Sequence, residues 1–375
     1  MDCYFDNSAT TQPTEAVTNA VLEMLTKNFG NPSSLHSVGD AASAKLDESR
    51  SVIAKSLSCD QGEIYFTSGG TESNNIAIMG TALALKRRGN RVVTSCVEHP
   101  SVLKCFERLE EEGFEVIKLP VDECGVVKEE DLKSSITKDT ILVSLMLVNN
   151  EVGSVQPIKA AASAIKAANA PAYLHVDAVQ AFGKLALKPS SLGVDLLSIS
   201  SHKVHGPKGV GALFVKKGTR LGTYTLGGGQ ESGIRSGTQN MPGIVGFATA
   251  VKELGNIAES REKVERLRTL LLEELKPLEN LVINSKGDFP YILNISLLGV
   301  PSEVLRNYLS EKGVFVSTGS ACSKGHRSYV LLSMGLDVGT IDSAIRISFS
   351  RFNTEEETKY LAQCLLEANE KLRKV

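Results

Sequence analysis

The sequence predicts an α/β fold: a mostly parallel sheet covered on both faces by helices, followed by a smaller α+β unit at the C-terminal end. Three observations predict it. From about residue 60, short apolar strand-like runs alternate with helical ones, the mark of a sheet buried on both sides. Near residue 240 the alternation gives way to long helices and a few more strands. Several strand-like runs also end in polar clusters, where open α/β sheets gather their ligands.

Taken in order, residues 14–29 place Val17, Ala20, Val21, Met24 and Leu25 at the spacing of an amphipathic helix. The expected strands are EIYFTSG, RVVTSCV, EVIKLPV, TILVSLMLVN, AYLHVDAV, VDLLSISS and GALFVKK, with helices near 72–88, 101–113, 129–136 and 157–169. The cationic run KRRGNR at 86–91 reads as the C-terminal punctuation of the first of these helices. Two helices, MPGIVGFATAVKEL and ESREKVERLRTLLLEELKPL, lead into the last part. There YILNISL, VFVSTGSAC and AIRISFS read as strands, and a final helix opens on TEEE with Thr354 and Glu357 as a capping box. The expected division is an N-terminal segment 1–15 packing with the small domain, a large domain 16–255 and a small domain 256–375.

With 375 residues, 42% hydrophobic and 22% charged, the composition is ordinary globular. A net charge of −2 supplies no basic field for nucleic acid or anionic lipid. No 18-residue apolar span suggests a membrane helix, and the acidic, polar start MDCYFDNSATT does not resemble a signal peptide. Seven scattered cysteines without CxxC spacing point to a reducing compartment, by default the cytoplasm.

Three polar clusters carry the chemistry. In SISSHKVHGPKGVGALF, Lys203 follows a buried run and precedes a Gly/Pro-rich turn, a place for an amine that bonds covalently to a carbonyl compound. In YFTSGGTESNN, a strand runs through Gly69 and Gly70 to Thr71 and into a helix, offering free N–H groups and a hydroxyl to a phosphate. In YLHVDAVQ, Asp177 ends an apolar strand and needs a cationic or N–H partner; a structural salt bridge is the plain alternative. Amine, phosphate cradle and ring-nitrogen carboxylate are together what pyridoxal 5′-phosphate requires. His99, after another strand, is positioned to stack on a flat ring and to shuttle a proton.

With these motifs in place the chain resembles the cysteine desulfurases of the NifS/IscS type, in the class V aminotransferase group of pyridoxal-phosphate enzymes of fold type I. The resemblance runs from YFDNSATT to SFSRFNTEEE and rests on TSGGTESNN, EHPSV, NNEVG, HVDAVQ, SSHKVHGPKGVG, GGGQESGIRSGTQN and SACS. It implies that Lys203 binds the cofactor as a Schiff base, that Gly70, Thr71, Ser200 and His202 hold its phosphate, and that Asp177 pairs with the ring nitrogen. Gln180 would hydrogen-bond the ring hydroxyl and His99 would stack on the ring. Asn150 would lie near cofactor and substrate, and Arg351 would clamp the substrate carboxylate. Thr238 would reach the phosphate from the other subunit of a homodimer. Cys322 would be the nucleophile that takes sulfur from L-cysteine, leaving L-alanine, and passes it to a protein acceptor such as an iron–sulfur scaffold or a thiolation enzyme.

Cys322 also has a local rationale, since it sits among small polar residues with Lys324, His326 and Arg327 close by, a setting that lowers a thiol's pKa. Cys96, His99 and Cys105 lack the spacing of a zinc site, and no metal is expected. Cys3, Cys59, Cys124 and Cys364 read as packing or surface residues, His175 as a neighbour of Asp177 or a core residue, and His36 has no assigned role. Two other classes stay open at this level: selenocysteine lyase or another class V reaction on the same fold, and a non-catalytic protein that kept the fold.

Overall fold

The computed structural model describes residues 2–223, 225–318 and 327–372. Its large sheet comprises seven strands. In chain order, after the short β1 (Cys3–Tyr4), these are β2 (Ile64–Thr67), β3 (Arg91–Ser95), β4 (Glu115–Leu119), β5 (Thr140–Met146), β6 (Tyr173–Asp177), β7 (Leu196–Ser200) and β8 (Gly211–Val215). They lie in the order β2-β8-β7-β6-β5-β3-β4. From β7 to β4 every pairing is parallel, while β8 runs antiparallel to both β7 and β2. β5, β7 and β8 are buried along their whole lengths, which is why they read as unbroken apolar runs.

Helices cover the sheet. α1 (Glu15–Thr26) opens on Thr14, whose hydroxyl accepts from Val17 N; α2 spans Ser37–Ser56, α3 Gly70–Leu85 and α4 Pro100–Glu111. α2 was not expected from the sequence. Apart from Leu46 and Ile53, its buried face is built of Gly39, Ala42, Ser49 and Ala54, so it packs through small residues and shows little apolar periodicity. In α1 only Val17 and Met24 of the expected stripe are buried, and Leu25 is 61% exposed.

The C-terminal part holds β9 (Leu281–Ile283), β10 (Ile292–Leu297), β11 (Val314–Phe315), β12 (Ser317–Thr318) and β13 (Ala344–Ser348). Four of them form an antiparallel sheet in the order β12-β13-β10-β9. β1 pairs in parallel with β11, so the first residues of the chain join a strand more than three hundred residues away. The helix Ile257–Glu274 buries Val264, Leu267 and Leu271 along the expected face. The helix Glu355–Leu372 is capped by Thr354 and Glu357: Glu357 N donates to Thr354 Oγ1 (3.2 Å), and Thr354 N donates to Glu357 Oε2 (2.8 Å). Among the described residues no helix is long and apolar enough to cross a membrane.

Candidate active site

Lys203 ends the single 3-10 turn Ser201–Lys203 that follows β7. Its ammonium donates to the main-chain oxygens of Ser8 and, at 2.7 Å, Ala9, both supplied by the N-terminal segment. Burial, reinforced by the cations Arg346 and Lys184, pushes the amine down to about 7, so it exchanges a proton readily at neutral pH.

Asp177 lies on the adjacent strand β6, in register with Ser198 of β7. Its oxygens accept from Asn74 Nδ2 (2.7 Å) and Val179 N (3.0 Å), both neutral donors. The expected partner is therefore an N–H, and among the described residues no cation forms an ion pair with the carboxylate. Asn74 also donates to Ser101 Oγ (2.9 Å), which lies 2.8 Å from His99 Nδ1. His99 is the N-cap of α4, with Pro100 behind it, and its Nδ1 accepts from Ser101 N at 3.2 Å. Nδ1 thus serves as an acceptor, which leaves the ring proton on Nε2. Burial, helped by the Lys203 charge and opposed by Asp177, lowers the His99 pKa and keeps the ring neutral.

The phosphate-type cradle is the start of α3. Gly69 has φ of +151°, no side chain caps the helix, and a Cβ on Gly70 would meet Val179 Cγ2 at 2.6 Å. Gly70 and Thr71 line the cavity together with Ser200 and His202. His202 is held neutral, its pKa pushed down to about 3 by burial and then by Lys203. Gln180 donates from Nε2 to Ser8 O at 3.0 Å.

These residues, with Asn150, line one cavity of about 310 Å³. Among the described residues, five buried atoms of the lining side chains, Ser8 Oγ, Asn74 Oδ1, Asn150 Oδ1, Ser200 Oγ and Arg346 Nε, have no hydrogen-bond partner. An amine, an uncapped helix start, a carboxylate between neutral donors and these unsatisfied polar atoms suit pyridoxal 5′-phosphate: anionic at one end, cationic at its ring nitrogen and carbonyl-bearing between.

Two expected site residues lie outside this cavity, and a third falls outside the described residues. Arg351 lines a smaller neighbouring cavity, which it shares with Lys203, Lys184 and Tyr291; its Nη2 is buried with no partner among the described residues, and its guanidinium sits 4.6 Å from the Phe352 ring centroid. Thr238 is exposed and does not line its own chain's main cavity. Cys322, with Lys324 and His326, falls outside the described residues. Arg327 is described, and its fork is engaged with Asp342 at 2.7 and 2.8 Å.

Several residues of the site were not singled out from sequence. Arg346, on β13, donates to Asn150 O (3.0 Å) and Asp6 Oδ1 (2.8 Å), tying three distant segments together at the cavity. Glu151 lines the cavity and accepts from Ser328 Oγ; burial pushes its carboxyl up to about 7. Glu98, wholly buried beside His99, is pushed up to about 8 by burial. Its Oε1 accepts from Ser95 Oγ (2.6 Å) and Met146 N (3.0 Å). The available signal was position: Glu98, Glu151 and Asn74 all fall inside the quoted motifs. His175 proves to be a core residue, bracketed by Ser144 Oγ (2.8 Å) and Ser198 Oγ (3.0 Å) and neutral because burial lowers its pKa to about 3. His36 is the N-cap of α2, accepting from Gly39 N at 3.2 Å. Among the described residues no group of three or more His, Cys, Asp or Glu is arranged to hold a metal ion.

Fold and site together define a pyridoxal-phosphate enzyme, with Asp177 at the end of β6 and Lys203 in the turn that follows its parallel neighbour β7. Residues 3–361 match the family model described as Aminotransferase class-V. A "Cysteine desulfurase IscS" of Clostridium botulinum is 42% identical over 370 residues, covering 96% of this chain and 93% of that protein. A protein of the same name from Methanosarcina thermophila is 40% identical, covering 99% and 92%. Among solved structures, a "NIFS-LIKE PROTEIN" superposes with a TM-score of 0.93 at 39% identity, over 98% of this chain and 99% of that one. One described as "SspA in complex with cysteine" gives 0.83 at 32%, over 94% and 100%. This chain belongs to the class V aminotransferase family, among its cysteine desulfurases of the IscS and NifS type.

Proposed function

We propose that this protein converts L-cysteine to L-alanine and leaves the sulfur as a persulfide on Cys322, for delivery to a protein acceptor such as an iron–sulfur scaffold or a thiolation enzyme. The observation that carries the reading is the buried Lys203 amine, with a pKa near neutrality, in the turn after the strand next to Asp177, whose carboxylate forms no ion pair among the described residues. Relatives named cysteine desulfurase, and a related structure that holds cysteine, support the choice of substrate.

Gly70, Thr71, Ser200 and His202 would hold the cofactor phosphate, Asp177 would hold a proton on the ring nitrogen, and Gln180 would donate to the ring hydroxyl. When bound, pyridoxal 5′-phosphate supplies a protonated ring that withdraws the electrons released at the substrate Cα. Lys203 takes the Cα proton, and its low pKa lets it return one. His99, which lines the same cavity, would manage the proton of the substrate thiol. Arg351 and Asn150 orient the substrate carboxylate. The Cys322 thiolate then attacks the substrate sulfur: an S–S bond forms, the substrate Cβ–S bond breaks, and its electron pair passes to Cβ. Cβ takes up the proton that Cys322 gave up on ionising, which completes the methyl group of alanine.

The working unit in this reading is a cytoplasmic homodimer. Leu22, Leu25, Phe29 and Leu35 are 56–100% exposed on and just after α1, more apolar side chain than an isolated subunit favours. A second copy would cover them, and Thr238 would complete the partner subunit's phosphate site.

Incubation with L-cysteine tests the chemistry. One additional sulfur, removable by a thiol reductant, is expected on the Cys322 peptide together with one alanine. Cys322→Ser is expected to keep its bound cofactor and lose alanine formation. Near-normal turnover in that variant overturns the role of Cys322, and labelled sulfur followed into candidate proteins identifies the acceptor.

A further inference from the structure

Lys184 is a buried cation that the chemistry above does not use. It is 7% exposed, and among the described residues no carboxylate pairs with it. Such a group is costly to keep unless its position matters. Its ammonium meets two neighbours: the Gln180 side-chain oxygen at 3.3 Å and the face of the Tyr291 ring, 5.7 Å from its centroid.

Gln180 is therefore held at both ends. Its Oε1 receives the Lys184 N–H, and its Nε2 gives one proton to Ser8 O at 3.0 Å. A carbonyl only accepts, so the amide orientation is the same read from either side. The second Nε2 proton is left over, on a residue that lines the main cavity. Ser8 O also accepts from Lys203, so the chain Lys184–Gln180–Ser8–Lys203 is continuous. Burial, and then the Arg346 charge, push the Lys184 amine down to about 7; charged or neutral, it still has an N–H to give.

We propose that Lys184 is a positioning residue that locks the Gln180 amide with its N–H towards the cavity and strengthens that N–H as a donor to an anionic ring oxygen of the cofactor. The proposal rests on the reading of Gln180 as the ring-hydroxyl partner.

The test is a pH titration of the visible absorbance of the reconstituted holoprotein. Besides Lys184 and Lys203, the charged and titratable groups that bear on this region are Arg346, Arg351, Asp6, Asp177, Tyr291 and His205. His99, His202 and His205 are held neutral by burial, and burial raises the pKa of the Tyr291 hydroxyl, so variants at Lys184 change one charge only. Lys184→Met weakens the donor to the ring oxygen and is expected to raise the titration midpoint by about 0.5–1 unit, the scale of one hydrogen bond. Lys184→Arg, which keeps a donor for Gln180 Oε1, is expected to restore the wild-type midpoint. In a Gln180→Ala background the Met substitution should produce less than half of its shift, because the group through which it acts is gone. Should the Met variant not fold, Lys184→Gln carries the same cycle with a polar group in the buried position. An unchanged midpoint, or an equal shift in both backgrounds, overturns the proposal. A wild-type protein that takes up no cofactor overturns the functional reading instead.

Discussion

The Asn74 amide nitrogen lies 2.7 Å from Asp177 Oδ2 and gives its other proton to Ser101 Oγ at 2.9 Å. One neutral side chain thus fixes both the Asp177 carboxylate and the hydroxyl that meets His99 Nδ1.

Asn74→Ala is therefore expected to weaken two roles at once. Losing a buried hydrogen bond to a charged group costs about 1.5–3 kcal/mol, so cofactor affinity should fall by roughly 10- to 100-fold. Reconstitution of cofactor-free protein, followed by absorbance, measures it. Unchanged affinity would mean that Val179 N alone is enough to hold Asp177.

Lys203 makes the cofactor-free protein sensitive to pH. In the fold its amine titrates near 7, against about 10.5 ordinarily. Between those values the unfolded chain binds more protons, so this group's contribution to stability rises with pH. Lys203→Met should flatten the rise in melting temperature between pH 7 and 9. A profile identical to wild type would show that the amine is not buried in solution.

Glu98 works in the opposite sense. Its carboxyl, about 8 in the fold, stays protonated where the unfolded chain has already lost the proton near 4.5. The folded state binds more protons in that window, so stability falls as pH rises through it. Glu98→Gln removes the penalty and should stabilise the protein by about 2 kcal/mol at pH 8 and very little at pH 4. Melting curves at the two pH values check it, and equal effects would contradict it.

The exposed apolar side chains of α1 give an assembly prediction. Leu25→Glu with Phe29→Glu should leave the monomer folded, since both side chains point to solvent within the subunit at 61% and 71% exposure. Sedimentation should then show a shift from dimer to monomer at micromolar concentration. A double variant that remains fully dimeric places the interface elsewhere.

Most strands were legible because burial on both faces writes unbroken apolar runs, and the capping box at Thr354 and Glu357 marked a helix start that the fold keeps. The antiparallel direction of β8 was not legible, since apolar runs carry no polarity. β1 and β9 were missed because two or three residues make no periodic signal. Within the site, polar residues next to strand ends could be picked out by type. Arg346 and Lys184 could not: what distinguishes them is burial and long-range pairing, with Arg346 reaching Asp6 across 340 positions.

The two carbonyls that hold the Lys203 amine belong to Ser8 and Ala9, and that stretch is fastened by its neighbours to the far end of the chain. Asn7 donates to Ser348 O at 2.9 Å, Ser8 N donates to Ser348 Oγ at 2.8 Å, and β1 is laid along β11. A nascent polypeptide still short of Ser348 therefore has its reactive lysine made but not clamped. The clamp on Lys203 closes only once both ends of the chain are in place, and the amino terminus adjoins the residues that hold that amine rather than hanging outside the site.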